Sequence, residues 1–221
     1  MFEACREKAF KTLLAVKPGD TIAGVARKID ENRESIRRVV NTLEDAGYVE
    51  YTQGLTVPPH TLREAGISYL AASATVSPPS ISEAYILPHF SGLDFAYTSI
   101  DAVYIWTQGG YQVARNPDDY PLFITINEAD LEDWKQFFDR FHIPVSQERQ
   151  PVEETDPSIQ FVLETRETVE SVEKGGRPVI PLQETVSFAQ DHYATFESAL
   201  EMLDQMYDEV ETGAEYRAVI E

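Results

Sequence analysis

At 221 residues with 43% hydrophobic side chains, the chain is long enough for two small domains, or one with an appendage. It is also too apolar to be disordered despite a formal charge of −20 from 38 acidic and 18 basic residues. No apolar run approaches the roughly 20 residues that span a bilayer, and the opening "MFEACREKAF" lacks an apolar signal core, so a cytoplasmic protein is expected.

Cys5 is the single cysteine, which excludes an intramolecular disulfide. His60, His89, His142 and His192 lie far apart in sequence, so no metal site and no cofactor is expected. The charge is unevenly spread. The first 57 residues are close to balance, and the remainder carries the acidic excess. Scattered carboxylates with few lysines suit a protein adapted to high salt; an acidic surface for a basic partner is the alternative.

In chain order, residues 2–16 read as a first helix, ended by "KPGD". "DTIAGVARKI" reads as a second, with Asp20 or Thr21 as N-cap and Ile22, Val25, Ala26 and Ile29 on one face. After the break "DEN", the stretch "NRESIRRVVNTLEDAGYV" gives a third helix. Ile36, Val39, Val40 and Leu43 recur there at helical spacing, and Gly47 is the stop. "YVEY" and "LTVP" flank "TQG" as a β-hairpin. Residues 60–73 form one more helix, and the small, proline-containing "SATVSPPS" sets a boundary near residue 78. The expected division is 1–78 and 79–221.

Beyond it, "TSIDAVYIWT" is helical, with Ile100, Val103, Tyr104 and Trp106 or Thr107 inward. "YQVAR" and "YPLFITI" alternate as strands around the turn "NPDD". "NEADLEDWKQFFDRF" is a helix capped by Asn127 that buries Leu131, Trp134, Phe138 and Phe141. "SIQFVLET" is a strand, Gly175-Gly176 a turn and "RPVIPL" a short extended piece. A heptad-like seam then runs through Leu182, Val186, Ala189, Tyr193, Phe196, Leu200, Leu203, Tyr207 and Val210. It suits either a helix or helix pair packed on its own core, or a surface for a second protomer or another protein. The expected class is therefore α+β: a helical head with a hairpin, then a mixed α/β domain with a long C-terminal helical segment.

The third helix packs Arg33, Arg37 and Arg38 into its front half, in a chain dominated by carboxylates. With Ile36, Val39 or Val40, and Leu43 inward, the residues Asn32, Arg33, Ser35, Arg37, Arg38 and Asn41 face mostly outward. Arginine donates two parallel hydrogen bonds to guanine, and asparagine does the same for adenine. Arg27 and Lys28, ending the preceding helix, are placed for phosphates, and Thr52 and Gln53 at the hairpin tip for backbone or minor groove. The competing reading is a solvated helix whose arginines pair with Glu31, Glu34 and Asp45.

Helix, helix, short turn, helix and hairpin, carried by "TIAGVARKIDENRESIRRVVNTLEDAGYVEY", resembles the winged helix-turn-helix of bacterial and archaeal transcriptional regulators. The resemblance covers about the first quarter of the chain. It implies double-stranded DNA as partner, with the third helix in the major groove. A homodimer is expected, because one such helix covers too few bases for useful specificity.

In the body, "VYIWTQGGYQVARNPDDYPLF" and the order helix, hairpin, helix loosely resemble nucleotidyltransferase-like domains. Together with the head, they resemble the AbiEi-like antitoxins of type IV toxin–antitoxin systems. That resemblance implies autorepression and a protein toxin as partner. Nucleotidyl transfer itself needs carboxylates at alternate positions of one strand. Here Asp118 and Asp119 are adjacent and precede Tyr120-Pro121, and the helix opens with Thr98-Ser99 rather than a glycine pair, so no catalysis is expected. Trp106, Tyr111, Tyr120 and Phe123 read as core. The alternatives are a nucleotidyltransferase-like enzyme using Asp118 or Asp119 with a divalent metal, and a protein-interaction module whose head does not bind DNA.

Overall fold

The computed structural model describes residues 7–58, 61–113, 115, 120–148, 159–208 and 210. The head begins with helices α1 (Glu7–Ala15), α2 (Ile22–Lys28) and α3 (Arg33–Asp45). A hairpin of β1 (Glu50–Tyr51) and β2 (Leu55–Thr56) follows, then α4 (Leu62–Ala74). Leu13, Leu14, Val25, Ile36, Leu43 and Leu55 are buried at the centre of this unit. They come from α1, α2, α3 and the hairpin, so these short helices are stabilised by packing on one another. Of the inward set expected on α2 and α3, Ile22 and Val39 are only half-buried.

The body starts with two single-turn helices, α5 (Ile81–Ala84) and α6 (Pro88–Ser91). Ser80 and Glu83 cap α5 reciprocally. Then come β3 (Phe95–Tyr97), α7 (Ser99–Trp106) and β4 (Tyr120–Asn127), followed by a 3-10 turn, Glu128–Asp130, that leads into α8 (Leu131–Asp139). The chain continues through β5 (Val145–Ser146), β6 (Ile159–Arg166), β7 (Val172–Lys174) and β8 (Arg177–Val179) to α9 (Leu182–Asp191) and α10 (Tyr193–Met206). The strands form one mixed sheet in the order β5-β6-β4-β3-β8-β7. The fold is therefore α+β.

β4 is the spine of that sheet. It pairs with β6 in parallel along its whole length, from Tyr120 opposite Ile159 to Asn127 opposite Arg166, and with β3 antiparallel. Leu122, Ile124 and Ile126 on one face and Thr125 on the other are fully buried, as a strand covered on both faces requires. With both edges of β4 taken, no place is left for a hairpin partner. The expected strand "YQVAR" is accordingly not a strand among its described residues. Instead Arg115 turns inward and donates to the Pro121 carbonyl at 2.8 Å, while Tyr111 donates its hydroxyl to the Thr195 carbonyl.

The helices differ from expectation in detail. On α7, Asp101 is buried together with Ala102, Val103, Ile105 and Trp106, whereas Ile100 and Tyr104 are half-buried. A carboxylate can occupy the inward face because donors surround it. Tyr85 donates its hydroxyl to Oδ1, Arg115 donates to Oδ1 at 2.8 Å, and the Phe123 amide donates to Oδ2 at 2.7 Å. Burial pushes the Asp101 carboxyl above its usual range, and the Arg115 charge opposes that rise.

Asn127 precedes the 3-10 turn but makes no capping bond from its side chain. Its amide oxygen accepts from the Val169 N–H at 3.1 Å instead, tying α8 to the end of β6. On α8, Trp134, Phe138 and the following Phe141 are buried as expected, and Phe137 with them. The C-terminal seam is split at His192 into α9 and α10. Leu182, Val186, Ala189, Phe196, Leu200, Leu203 and Val210 are buried within the chain. The seam is thus a helix pair on its own core rather than a free protomer surface.

Head and body meet along α1, which packs on α4 within the head and on α6 of the body. Lys17 donates to the Leu93 carbonyl at 2.8 Å and pairs with Asp94 at 3.0 Å. At a second point the β7–β8 turn presses on α2. A Cβ placed on Gly176 would lie 2.4 Å from the Arg27 Cβ, and Gly176 holds a φ of +86°, so only glycine fits that approach.

Candidate nucleic-acid interface

The ends of α2 and α3 are set by short-range devices. Thr21 caps α2 by accepting from the Gly24 N–H at 3.0 Å. Asp20, the other expected cap, accepts from the Lys17 N–H at 2.7 Å. Asp30 takes a left-handed φ of +51° to reverse the chain, and Asn32 then caps α3 through Oδ1, which accepts from Glu34 N at 2.9 Å. Gly47, at φ +77°, ends α3 while Tyr48 N–H returns to the Leu43 carbonyl at 2.8 Å.

The hairpin is docked beside the start of α2. Leu55 N–H donates to the Asp20 carbonyl at 2.8 Å, and Gly19 N–H to the Leu55 carbonyl at 3.0 Å. Gly54 makes this approach possible, since a Cβ there would stand 2.7 Å from the Gly19 Cα. Thr52 and Gln53 are left exposed at the tip.

The ten candidate residues fall into two groups. Arg33, Arg37, Arg38 and Asn41 form an exposed face of α3, accompanied by Thr52 and Gln53 on the hairpin. The other four are engaged. Asn32 is spent on capping, and the Ser35 hydroxyl, half-buried, accepts from Lys8 Nζ at 3.2 Å. Lys28 lies 2.7 Å from both Asp20 oxygens in a largely shielded pair. Arg27 pairs with Glu173 of the body at 3.1 Å.

Arg33 and Arg37 form no ion pair with any described residue, and Arg38 has only Glu34 at 3.9 Å. Glu31, a carboxylate that could have neutralised them, is taken by Lys8 at 2.8 Å. Nothing in the sequence nearby signals Lys8 or Glu173 as partners, because both pairs close long stretches of chain.

The charge order on α3 also runs against helix stability. In the first turn, where the helix dipole is positive, Arg33 stands beside a favourably placed Glu34, and Glu44 and Asp45 stand in the last, where the dipole is negative. Each misplacement costs about 0.3–1 kcal/mol at an exposed site. A helix selected only for folding would carry cations rather than Glu44 and Asp45 in its last turn.

No family model, curated protein or solved structure matches the chain.

In the body, Asp118 and Asp119 lie outside the described residues. Strand β4 carries no carboxylate, and no group of three His, Cys, Asp or Glu able to hold a metal occurs among the described residues. Ser99 opens α7 at φ +52°. Trp106 and Tyr120 are buried, while Tyr111 and Phe123 are half-buried. No helix is long and apolar enough to cross a membrane among the described residues.

Proposed function

We propose that the chain is a DNA-binding transcriptional regulator whose head is a winged helix-turn-helix. In this reading α3 enters the major groove, the β1–β2 hairpin is the wing, and two copies read an operator as a homodimer. The observation that carries it is the exposed pair Arg33 and Arg37, which meets no carboxylate among the described residues in a chain of net charge −20. Arg38 and Asn41 extend the reading face, and Thr52 and Gln53 touch the backbone beside it. The acidic body supports dimerisation or holds a partner protein, a toxin in the antitoxin reading. The protein would act in the cytoplasm of a salt-adapted cell, and no catalytic role is assigned to it.

High salt shapes the mechanism. Phosphate contacts gain affinity by releasing counterions, a gain that falls steeply as salt rises. At molar salt the screening length is about 3 Å. Affinity then rests on base-edge hydrogen bonds and close packing, which is consistent with Arg27 and Lys28 being neutralised within the fold.

The test is selection of a duplex from a random pool, followed by titration of variants. Arg37→Ala is expected to cost about 1–3 kcal/mol of specific binding if it reads a guanine. The salt slope of the selected duplex should be shallow. Unchanged binding in Arg33→Ala, Arg37→Ala and Arg38→Ala alike would remove α3 from the interface.

A further inference from the structure

Five described cations lack a carboxylate within ion-pair distance: Arg33, Arg37, Arg63, Lys174 and Arg177. Two belong to the face of α3, and Arg63 donates to the Phe90 carbonyl at 3.2 Å. The remaining two share one cavity. It is open, of about 500 Å³, and lies between the end of α7 and the β7–β8 hairpin. Tyr104, Gln108 and Gly109 form one wall, and Lys174, Gly175 and Arg177 the other.

No carboxylate lines this cavity, although acidic residues outnumber basic ones about two to one in the chain. Aromatic rings hold the two cations in place instead. Lys174 Nζ sits 4.8 Å from the Tyr207 ring and 5.3 Å from that of Trp106, and the Arg177 guanidinium 5.1 Å from that of Tyr85. A ring face steadies a cation without neutralising it or using up its N–H donors. The carbonyls at the end of α7, which would repel an anion, are already occupied. Ile105 accepts from Gln108 N–H at 3.0 Å, Tyr104 from Gly109 N–H at 2.9 Å and Thr107 from Gly110 N–H at 2.9 Å.

We infer that this cavity binds a small phosphate monoester. Its two charges match the dianion, the Arg177 fork suits phosphate oxygens, and Tyr104 offers a wall for the organic portion. The bound ligand also reaches the head, because one wall is the hairpin whose Glu173 pairs with Arg27 and whose Gly176 abuts the backbone of α2. Settling of Lys174 and Arg177 onto a phosphate braces the end of α2. The consequence for operator binding rests on the regulator reading; ligand binding and the bracing of α2 do not, and both are measured without DNA.

The test titrates inorganic phosphate into the full chain by calorimetry, at constant ionic strength set with potassium chloride. Saturable binding is expected. It should weaken at least tenfold in Lys174→Gln and in Arg177→Gln, less in Arg177→Lys, and stay unchanged in Lys135→Gln. Thermal unfolding of each variant verifies that it is folded. In hydrogen exchange, phosphate should slow residues 22–28 as well as 172–177. Absence of saturable binding, or equal binding by the wild type and both glutamine variants, would overturn the site. Protection confined to residues 172–177 would overturn the link to α2.

Discussion

At the end of α2, Lys28 lies 2.7 Å from Asp20 and Arg27 lies 3.1 Å from Glu173, whereas at the start of α3 Arg33 and Arg37 meet no carboxylate among the described residues. The body repeats the first pattern in a deeper setting, with Arg115 enclosed against the fully buried Asp101. These three cations are thus neutralised by the fold. Arg33 and Arg37 are held out, in a chain with carboxylates to spare, and the proposed regulator reading builds on that contrast. Substitutions on the two sides should therefore act in opposite directions, stability falling on one side and function on the other.

The largest effect is expected at the buried pair. Asp101→Asn keeps the shape but leaves Arg115 enclosed without a countercharge and weakens the acceptor of the Tyr85 hydroxyl. Breaking such a pair by removing one partner costs about 3–5 kcal/mol. Denaturant unfolding measures it, and a loss below about 1 kcal/mol would move this pair into the class of surface ion pairs.

A pH-dependent effect follows at His89, buried edge-on to Phe95 with ring centroids 5.2 Å apart. Burial, reinforced by the charges of Lys28, Lys17 and Arg177, lowers its pKa from 6.5 to about 3. The unfolded chain therefore takes up this proton before the folded one does. The stability that neutral His89 provides is fully present above pH 6.5 and is lost as pH falls from there toward about 3, at up to about 1.4 kcal/mol per pH unit. His89→Phe should flatten the difference between stability at pH 7 and at pH 5. An unchanged pH profile in that variant would place the acid sensitivity elsewhere.

Much of the head was legible because its signals are local. The apolar spacing Ile36, Val40 and Leu43 and the stop at Gly47 lie within one stretch, and the structure uses both, whereas Asn32, expected to face a base, is the N-cap. The cavity and the sheet order were not legible, because they depend on pairings between distant segments. β4 meets β6 in parallel across a long connection, and β3 is a three-residue strand too short to show a period. "YQVAR" alternates as a strand should, yet competition for the edges of β4, which sequence spacing does not reveal, excludes it. The burial of Asp101 was not legible for a similar reason: its donors come from Tyr85, Arg115 and Phe123, on three other segments. Within the candidate site, the exposed arginines were readable from the pattern, but the engagement of Ser35, Lys28 and Arg27 was not.

An intermediate effect is expected where α2 is neutralised. The side chains of Lys28 and Asp20 are only 10% and 15% exposed, so Asp20→Asn should cost about 1.5–3 kcal/mol. Arg27 and Glu173 are each half exposed, and Glu173→Gln should cost at most about 1 kcal/mol. In the regulator reading, both variants free a cation beside the DNA face, so operator affinity should hold or rise and its salt dependence steepen. A fall in affinity in both variants, with the fold intact, would mean that these ion pairs position the reading helix rather than merely neutralise α2.

The smallest change in stability is also the sharpest test, because its sign is opposite to all the others. Replacing Arg33 by glutamate puts a negative charge at the positive end of the α3 dipole, and Glu44→Lys puts a positive charge at the negative end. Each should stabilise the folded chain by about 0.3–1 kcal/mol, since neither residue gives up an ion pair among the described residues. In the regulator reading, Arg33→Glu should at the same time abolish operator binding, while Glu44→Lys, about two turns beyond Arg38, should strengthen non-specific DNA binding. A helix whose charges were merely solvated would gain stability from both changes and lose nothing. If Arg33→Glu raises the unfolding midpoint and leaves duplex binding intact, the front of α3 is not the reader. If it lowers the midpoint, the dipole reasoning itself is wrong at this position, and the unpaired arginines must be explained by a contact beyond the described residues.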